Sequence, residues 1–268
     1  MINIRASQTS GWNDCPRRGA ARSYKDLIEA AGFTIDGKAN YVRGVASSLG
    51  TAVHAGVAHA LKRKIDGGTP NLDDMIEVSY DDFDEACNGG LSFDTITGKP
   101  SDGKIQIERL LKAYYGFILP KVTPIMVEEF IQAELPGGNL LTAHPDVLEE
   151  TTVRDLKTGR EPFAYHAQLG CYSLLAKANN ICTPKTLIVD WLPRTPISKG
   201  YVEPREFVFN VEVCETEAKT IIKNIISQVT EFESTGNPSA FPANCMSILC
   251  SEKYCPCYGT EFCKLKEI

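Results

Sequence analysis

The stretch LTAHPDVLEETTVRDLK, residues 141–157, has the pattern of a β-hairpin and decides the fold prediction, because two apolar-rich arms flank the polar turn EETT. With the turn centred in the middle of EETT, Asp146 lies directly opposite Asp155. Opposed residues of an antiparallel pair share a face and lie about 4.5–5.5 Å apart at Cβ. Lys157 lies two residues beyond Asp155, so strand alternation predicts that it shares this face.

The predicted hairpin brings two carboxylates and one ammonium to one spot. Carboxylates this close repel each other unless a cation lies between them, and hard oxygen ligands suit Mg²⁺ or Mn²⁺. The alternative is a solvated strand face, on which an Asp-x-Lys pattern is common. The turn contains no Asn-Gly or Asp-Gly pair, so the register is inferred from the pattern alone.

The composition is typical of a globular chain, with 268 residues, 43% hydrophobic and 23% charged side chains. This length suits one large domain or two small ones. No apolar run is long enough to span a membrane, and the start, MINIRASQTSGW, lacks the apolar core of a signal peptide, so we expect a cytosolic protein. The net charge of −6 argues against a nucleic-acid coat protein, but a basic groove can coexist with an acidic remainder.

Ten cysteines are many for a cytosolic chain. Disulfides are disfavoured in that compartment, so clustered cysteines there indicate metal binding. Five of them cluster near the C-terminus, namely Cys245, Cys250, Cys255, Cys257 and Cys263. We interpret the scattered ones as small packing residues; these are Cys87, Cys171, Cys182 and Cys214.

Hydrophobic periodicity predicts the other elements. Helices are expected at 20–31, 47–65, 72–87, 102–119, 163–179 and 215–233, and strands at 123–135, 185–192 and 205–211. This order predicts an α/β fold with a central mixed sheet flanked by helices. The start of the first helix is basic, which indicates either a solvated surface or a face that contacts phosphate; its basic residues are Arg17, Arg18, Arg22 and Lys25.

His54 borders the apolar stripe of the helix predicted at 47–65. A lone histidine in this position is either a core residue or a metal ligand, and the helix alone does not decide between them. Gly50 lies four residues earlier on the same face, where the missing side chain allows another backbone or a ligand to approach.

Four elements occur in order along the chain: Gly-x-x-x-His from Gly50 to His54, then Asp146, then Asp-x-Lys from Asp155 to Lys157, and Gln-x-x-x-Tyr from Gln168 to Tyr172. This order and spacing resembles the RecB-like branch of the PD-(D/E)XK nuclease superfamily, over nearly the whole chain. The resemblance implies one nuclease domain, 1–268, with a restriction-endonuclease-like core at 40–235.

Cys15, followed by Pro16 and Arg17, combines with the C-terminal cysteines to resemble the iron–sulfur subgroup of these nucleases. That subgroup includes CRISPR adaptation nucleases, AddB-type helicase–nucleases and phage exonucleases. The resemblance implies a cap formed by residues 1–32 and 240–268, in which thiolates hold a 4Fe–4S cluster. The implied ligands are Cys15, Cys250, Cys255 and Cys263.

The spacing of the C-terminal cysteines, Cys250-x4-Cys255-x-Cys257-x5-Cys263, departs from the subgroup's usual Cys-x-x-Cys-x5-Cys. Four cysteines therefore compete for three places. We leave out Cys257, because its side chain and that of Cys255 would diverge in an extended stretch. A zinc site with the same ligands is the alternative.

The resemblance also implies a catalytic metal centre of one or two Mg²⁺ or Mn²⁺ ions. Its ligands would be His54, Asp146, Asp155 and the carbonyl of Leu156. One of Glu128 and Glu129 is expected to face inward and to add a carboxylate, although alternation does not say which one.

Lys157 would orient the attacking water or stabilise the developing charge. Gln168 and Tyr172 would orient the site or the DNA backbone, where a tyrosine can also stack on a base. The resemblance therefore implies a metal-dependent DNA exonuclease that acts on DNA ends with a single-strand preference. Its setting would be phage or bacterial recombination, repair or CRISPR adaptation, with recombination or replication proteins as further partners.

Two other classes of protein are weighed against this prediction. One is a catalytically silent DNA-binding module, and the other is a zinc-stabilised scaffold subunit of a recombination complex. The chain contains no Gly-x-x-x-x-Gly-Lys-Ser/Thr phosphate loop, so the sequence predicts no attached helicase motor.

Overall fold

The computed structural model describes residues 1–35, 43–161, 165–200 and 203–263. The helices are α1 Thr9–Asp14, α2 Pro16–Ser23, α3 Lys25–Ala30, α4 Val45–Ile65, α5 Leu72–Asn88, α6 Pro100–Ala113, α7 His166–Ala178 and α8 Val211–Thr235. The strands are β1 Asn3–Arg5, β2 Met126–Val127, β3 Ile131–Leu135, β4 Asn139–Ala143, β5 Val147–Leu148, β6 Thr152–Gly159, β7 Thr186–Pro193 and β8 Arg205–Phe209. The α/β fold with mixed sheets flanked by helices is confirmed. None of the described helices combines the length and apolar character that crossing a membrane requires.

The larger sheet has the strand order β2-β5-β6-β7-β8, and β6 is its central strand. Strands β6 and β7 are parallel and are joined through α7, whereas the other pairs are antiparallel. Val153 of β6 packs in the core that α7 and α8 cover, and Leu156 of β6 packs in the core of α4, α5 and α6. Strand β6 therefore directs alternate side chains toward α7 and toward α4.

A smaller sheet has the order β1-β4-β3, with β1 parallel to β4. The larger sheet is the predicted mixed sheet, whereas this second sheet and its strand β1 were not predicted. The expected arm 140–148 divides between the two sheets around Pro145, which has no N–H to donate to a strand partner. The expected strand 123–135 divides at Glu128, whose φ of 52° is left-handed and interrupts the extended backbone.

The helices predicted at 47–65, 72–87 and 215–233 are confirmed as α4, α5 and α8. The helix predicted at 20–31 is instead divided into α2 and α3, because Tyr24, with φ −131° and ψ 44°, leaves the helical conformation. The helix predicted at 163–179 is α7, which begins at His166; residues 163 and 164 lie outside the described residues.

The N-terminal helices contact the C-terminal segment directly. Arg17 donates from Nε to the carbonyl of Phe241 at 3.0 Å and from a terminal nitrogen to the carbonyl of Pro238 at 2.8 Å. Arg22 donates to the carbonyl of Tyr254 at 2.6 Å. These arginines therefore join the two ends of the chain, a role that neither interpretation of the basic helix start included.

Candidate active site

The hairpin formed by β5 and β6 has the predicted register. Val147 pairs with Arg154, which centres the turn in the middle of EETT. The same register, extended by one residue, brings Asp146 opposite Asp155. Asp146 Oδ2 also accepts the backbone N–H of Leu156 at 2.6 Å, so this carboxylate is fixed to the strand that carries Asp155.

Asp155 lies fully buried under α7. Its Oδ1 accepts a hydrogen bond from Gln168 Nε2 at 3.1 Å, and the same amide donates to the Tyr172 hydroxyl at 2.6 Å. Gln168 and Tyr172 thus share one face of α7, as predicted. Both side chains are buried, which fits orientation of Asp155 and not contact with a DNA backbone.

Lys157 forms an ion pair with Asp155, with Nζ 2.6 Å from Oδ2. That buried oxygen accepts no well-aligned hydrogen bond. Burial lowers the pKa of Lys157, but the Asp155 and Asp146 carboxylates outweigh burial and raise it above its usual value. Burial raises the pKa of Asp155, and the Lys157 ammonium only partly offsets this. The lysine is therefore charged at neutral pH.

His54, Glu128 and Asp146 form a group that could hold a metal ion. His54 Nδ1 lies 3.5 Å from Asp146 Oδ1 and 3.6 Å from Glu128 Oε1, and one ligand atom from each residue lies within 4.8 Å of the other two. The left-handed φ of Glu128 makes it, and not Glu129, the glutamate at this site. Asp155 is not a member of this trio.

The electrostatic field of the trio favours positive charge. Burial lowers the pKa of His54, but the charge of the Asp146 carboxylate and the closeness of the Asp146 and Glu128 oxygens to the imidazole raise it to about 10. Burial raises the pKa of Asp146, but His54, the Lys157 ammonium and the backbone N–H of Leu156 together lower it below its usual value. A divalent cation bound to an imidazole and two carboxylates would satisfy the same demand for positive charge.

The sequence motif around Gly50 positions His54. A Cβ on Gly50 would lie 3.0 Å from Thr158 Oγ1, so the glycine allows α4 to approach β6 closely. His54 follows one helical turn later and reaches the end of β5. The side chain of Leu156 is buried against α4, and its backbone N–H is bonded to Asp146.

A second charged network lies beside the metal trio and was missed by the sequence analysis. Buried Arg154 contacts Asp190 at 2.9 Å, Glu206 at 3.0 Å and Glu149 at 3.1 Å. Arg154 and Asp190 also line the small pocket that His54 and Asp146 line. The sequence offered one signal of this network: Asp190 is a charged residue within the apolar strand LIVDWL.

The cysteines near the C-terminus converge with Cys15. Cys15 Sγ accepts the backbone N–H of Asn244 at 3.4 Å, and Cys255 Sγ lies 3.5 Å from Cys257 Sγ. Cys250 is half-buried, while Cys15, Cys255, Cys257 and Cys263 are buried. The expectation that Cys257 diverges from Cys255 was wrong, because this segment forms a turn.

Interactions among the thiols confirm that they are close. A hydrogen bond with Cys257 lowers the pKa of Cys255 to about 7, although burial opposes this. Cys257 also interacts with Cys263. Burial raises the pKa of Cys250, and the nearby thiols of Cys255, Cys263, Cys15 and Cys245 raise it further. Cys245 is exposed, whereas Cys171 and Cys214 are buried in the core.

This fold and this acid-rich site define a nuclease-like α/β protein. The family model of the PD-(D/E)XK nuclease superfamily matches residues 6–259, and the chain belongs to that superfamily of hydrolytic nucleases. Among solved structures, the chain is similar to a protein from Eubacterium rectale described as a "putative exonuclease", with a TM-score of 0.57 and 12% identity over 92% of this chain and 86% of that chain. That likeness shows the fold alone. Comparison with curated proteins gave no match.

Proposed function

We propose that this chain is a metal-dependent DNA exonuclease that acts on DNA ends, prefers single strands and serves recombination, repair or CRISPR adaptation. The observation that carries the proposal is the convergence of Asp146, Asp155 and Lys157, beside His54 and Glu128. A module that only binds DNA gains nothing from this arrangement, because a cluster of carboxylates repels the phosphate backbone unless a cation lies between them.

The donor set suits Mg²⁺ or Mn²⁺. His54, Glu128 and Asp146 supply one nitrogen and carboxylate oxygens, and Asp155 and the carbonyl of Leu156 are the proposed further ligands. The hairpin register, in which Val147 pairs with Arg154, brings Asp155 opposite Asp146 and supports this assignment. A bound ion lowers the pKa of its water and offsets charge on the scissile phosphate. The imidazole favours Mn²⁺ more than an all-oxygen site would.

Lys157 has the proposed role of stabilising charge in the transition state. Its ammonium is fixed by Asp155, which Gln168 orients in turn. A preoriented cation of this kind needs no rearrangement when negative charge develops on the phosphate or on the attacking water.

The experiment that tests the proposal is cleavage of end-labelled DNA. Single- and double-stranded substrates, each linear and circular, are incubated with Mn²⁺, Mg²⁺ or EDTA. We expect metal-dependent loss of linear single-stranded DNA and persistence of the circles. Cleavage of circles would overturn the requirement for an end, and inert wild-type protein that still binds DNA would select the silent DNA-binding module.

We predict that His54→Ala weakens metal activation of cleavage. Loss of residues that only support a metal ligand costs about 10–100-fold in affinity or activity, so loss of the ligand is expected to raise the half-saturating Mn²⁺ concentration by at least about tenfold. His59→Ala, at an exposed position of the same helix, is the matched control. Unchanged Mn²⁺ titration of the His54 variant would leave this histidine as a core residue.

A 4Fe–4S cluster bound to Cys15 and three C-terminal cysteines is the proposed second cofactor. The convergence of these thiols supports a thiolate-bound metal. Cys250, Cys255 and Cys263 are the proposed partners of Cys15, and the contact of Cys257 with Cys255 makes Cys257 a competing ligand. Iron and labile sulfide measured in protein purified without oxygen test this assignment, and zinc without iron would select the zinc alternative.

Cys15→Ala should remove the brown colour of the protein and destabilise it. We expect the Tm to fall by roughly 5–10 °C, which corresponds to about 2–3 kcal/mol for a domain of this size. Visible absorbance in the charge-transfer bands of the cluster measures the colour, and thermal unfolding measures the stability. Cys245→Ala, at an exposed thiol, should change neither. Retained colour in the Cys15 variant would remove this residue from the ligand set.

A further inference from the structure

Two connecting segments run side by side between the two sheets, and each carries one carboxylate of the metal trio. Residues 128–130 connect β2 to β3, and residues 144–146 connect β4 to β5. Val127 pairs with Val147 on one side of these segments, and Ile131 pairs with Ala143 on the other side. One antiparallel register therefore continues across both connections.

This register brings two pairs of residues together. Glu128 lies opposite Asp146, and Phe130 lies opposite His144. The backbone N–H of Glu128 donates to the carbonyl of Pro145 at 3.1 Å, so the two segments are in direct contact. The ring pair lies two residues along from the carboxylate pair on each of the two connecting segments.

The rings of Phe130 and His144 form an exposed aromatic surface. Their centroids lie 5.2 Å apart with an interplanar angle of 52°. Phe130 is 54% exposed, and His144 is exposed as well. Burial of a phenylalanine side chain is worth about 1.5–3 kcal/mol, so an exposed ring beside a candidate catalytic centre calls for a ligand with an apolar face.

We propose that Phe130 and His144 form a stacking platform for an unpaired nucleobase next to the phosphate that is cleaved. The proposal rests on the nuclease function proposed above and deepens it. Aromatic side chains bind single strands by stacking on bases, which every base allows. Each ring is only two residues from a carboxylate of the trio on the same connecting segment, so one nucleotide could contact both with its base and its phosphate.

The negative charge of the protein makes a contribution from stacking important for binding DNA. Phosphate binding by basic side chains supplies much of the affinity in most DNA-binding proteins, but this chain has a net charge of −6 and a carboxylate-rich site. Stacking adds affinity that does not depend on a positive field. Bases within a duplex are already stacked on their neighbours, so the platform would also discriminate in favour of single-stranded ends.

Binding of single-stranded oligonucleotides tests the proposal. The protein carries Lys157→Ala to stop turnover, Mn²⁺ is present, and fluorescence anisotropy gives Kd for oligonucleotides with an intact base or an abasic site at successive positions. Stacking of one base is worth about 1–3 kcal/mol, so Phe130→Ala should raise Kd about 5- to 150-fold. Phe130→Trp should retain the affinity of the parent, and Phe130→Leu, which keeps an apolar side chain, should still lose the stacking contribution.

The abasic oligonucleotides make the test specific for a base. For the protein that carries only Lys157→Ala, an abasic site at one position should weaken binding as much as Phe130→Ala does. The abasic site and Phe130→Ala together should cost little more than either change alone. Equal losses from Phe130→Ala on every oligonucleotide, abasic ones included, would overturn the platform. If wild-type protein cleaves DNA without this coupling, the platform alone fails, and if the coupling occurs without cleavage, the nuclease proposal alone fails.

Discussion

Replacing Lys157 by alanine is expected to lower the rate of DNA cleavage by about 10²–10³-fold, the usual effect of losing one preorganised charge-stabilising group. The ammonium is fixed against Asp155 at 2.6 Å, and the Asp155 and Asp146 carboxylates keep its pKa high. Single-turnover cleavage of a linear single-stranded substrate at saturating Mn²⁺ measures the chemical step without a contribution from product release.

The Lys157 variant should still bind DNA, because the substitution removes one charge and leaves His54, Glu128 and Asp146 in place. Lys112→Ala is the matched control, since Lys112 is exposed and pairs with Glu108 on the surface. We expect this control to cleave at the wild-type rate. Cleavage by the Lys157 variant within threefold of wild type would contradict the role assigned to this lysine.

The largest effect on stability is expected from Arg154→Ala. Its guanidinium contacts Asp190, Glu206 and Glu149 and is only 6% exposed. Removing one partner of a buried ion pair costs about 3–5 kcal/mol, because an uncompensated charge is left behind. Denaturant unfolding should therefore show this loss, whereas Arg63→Ala, which breaks an exposed pair with Asp74, should cost at most about 1 kcal/mol.

The deficit of the Arg154 variant should also depend on pH. Burial raises the pKa of Asp190 to about 7, although Arg154 lowers it, so removing the arginine should raise it further. A carboxyl whose pKa is raised on folding contributes stability below its unfolded pKa, near 3.9, and loses it as the pH rises toward the folded value. Wild type and variant therefore lose this stability in parallel up to about pH 7, and the deficit should grow only above pH 7, where Asp190 has finished titrating in wild type but not yet in the variant. A deficit that does not change with pH would show that Asp190 titrates independently of Arg154.

The hairpin and the helix motifs could be predicted because their information is local. The polar turn EETT fixed the register of β5 and β6, and the spacing from Gln168 to Tyr172 placed both side chains on one helix face. Gly50 likewise indicated a close approach, which Thr158 provides. Each of these predictions depends only on strand alternation or on helical periodicity.

The division into two sheets could not be read from the same patterns. Residues 140–148 are rich in apolar side chains at both ends, and Pro145 is the residue that signals the break between β4 and β5. Strand alternation could not say which of Glu128 and Glu129 faces the site, because it assumes an extended backbone. The left-handed φ of Glu128 breaks that assumption, and no local residue preference predicts a glutamate in this conformation.

Contacts between distant residues account for the other differences. Arg154 and Asp190 are 36 residues apart, and nothing in the spacing of either strand identifies the partner. The approach of Cys257 to Cys255 depends on a turn, whereas in the expected extended segment the two side chains would diverge. Side-chain directions follow from backbone conformation, so an incorrect assumption about a turn changes the candidate ligands.

The hydrogen bond from Arg17 to Phe241 spans 224 residues, and this span has a consequence in time. A ribosome adds about 5–20 residues per second, so the N-terminal helices emerge roughly 10–45 s before the segment that they contact is synthesised. Throughout that interval Cys15 and Arg17 have none of their C-terminal neighbours. Any group that Cys15 holds together with Cys263 can be loaded only after translation has passed the last cysteine, so the supply of that group must follow synthesis of the chain.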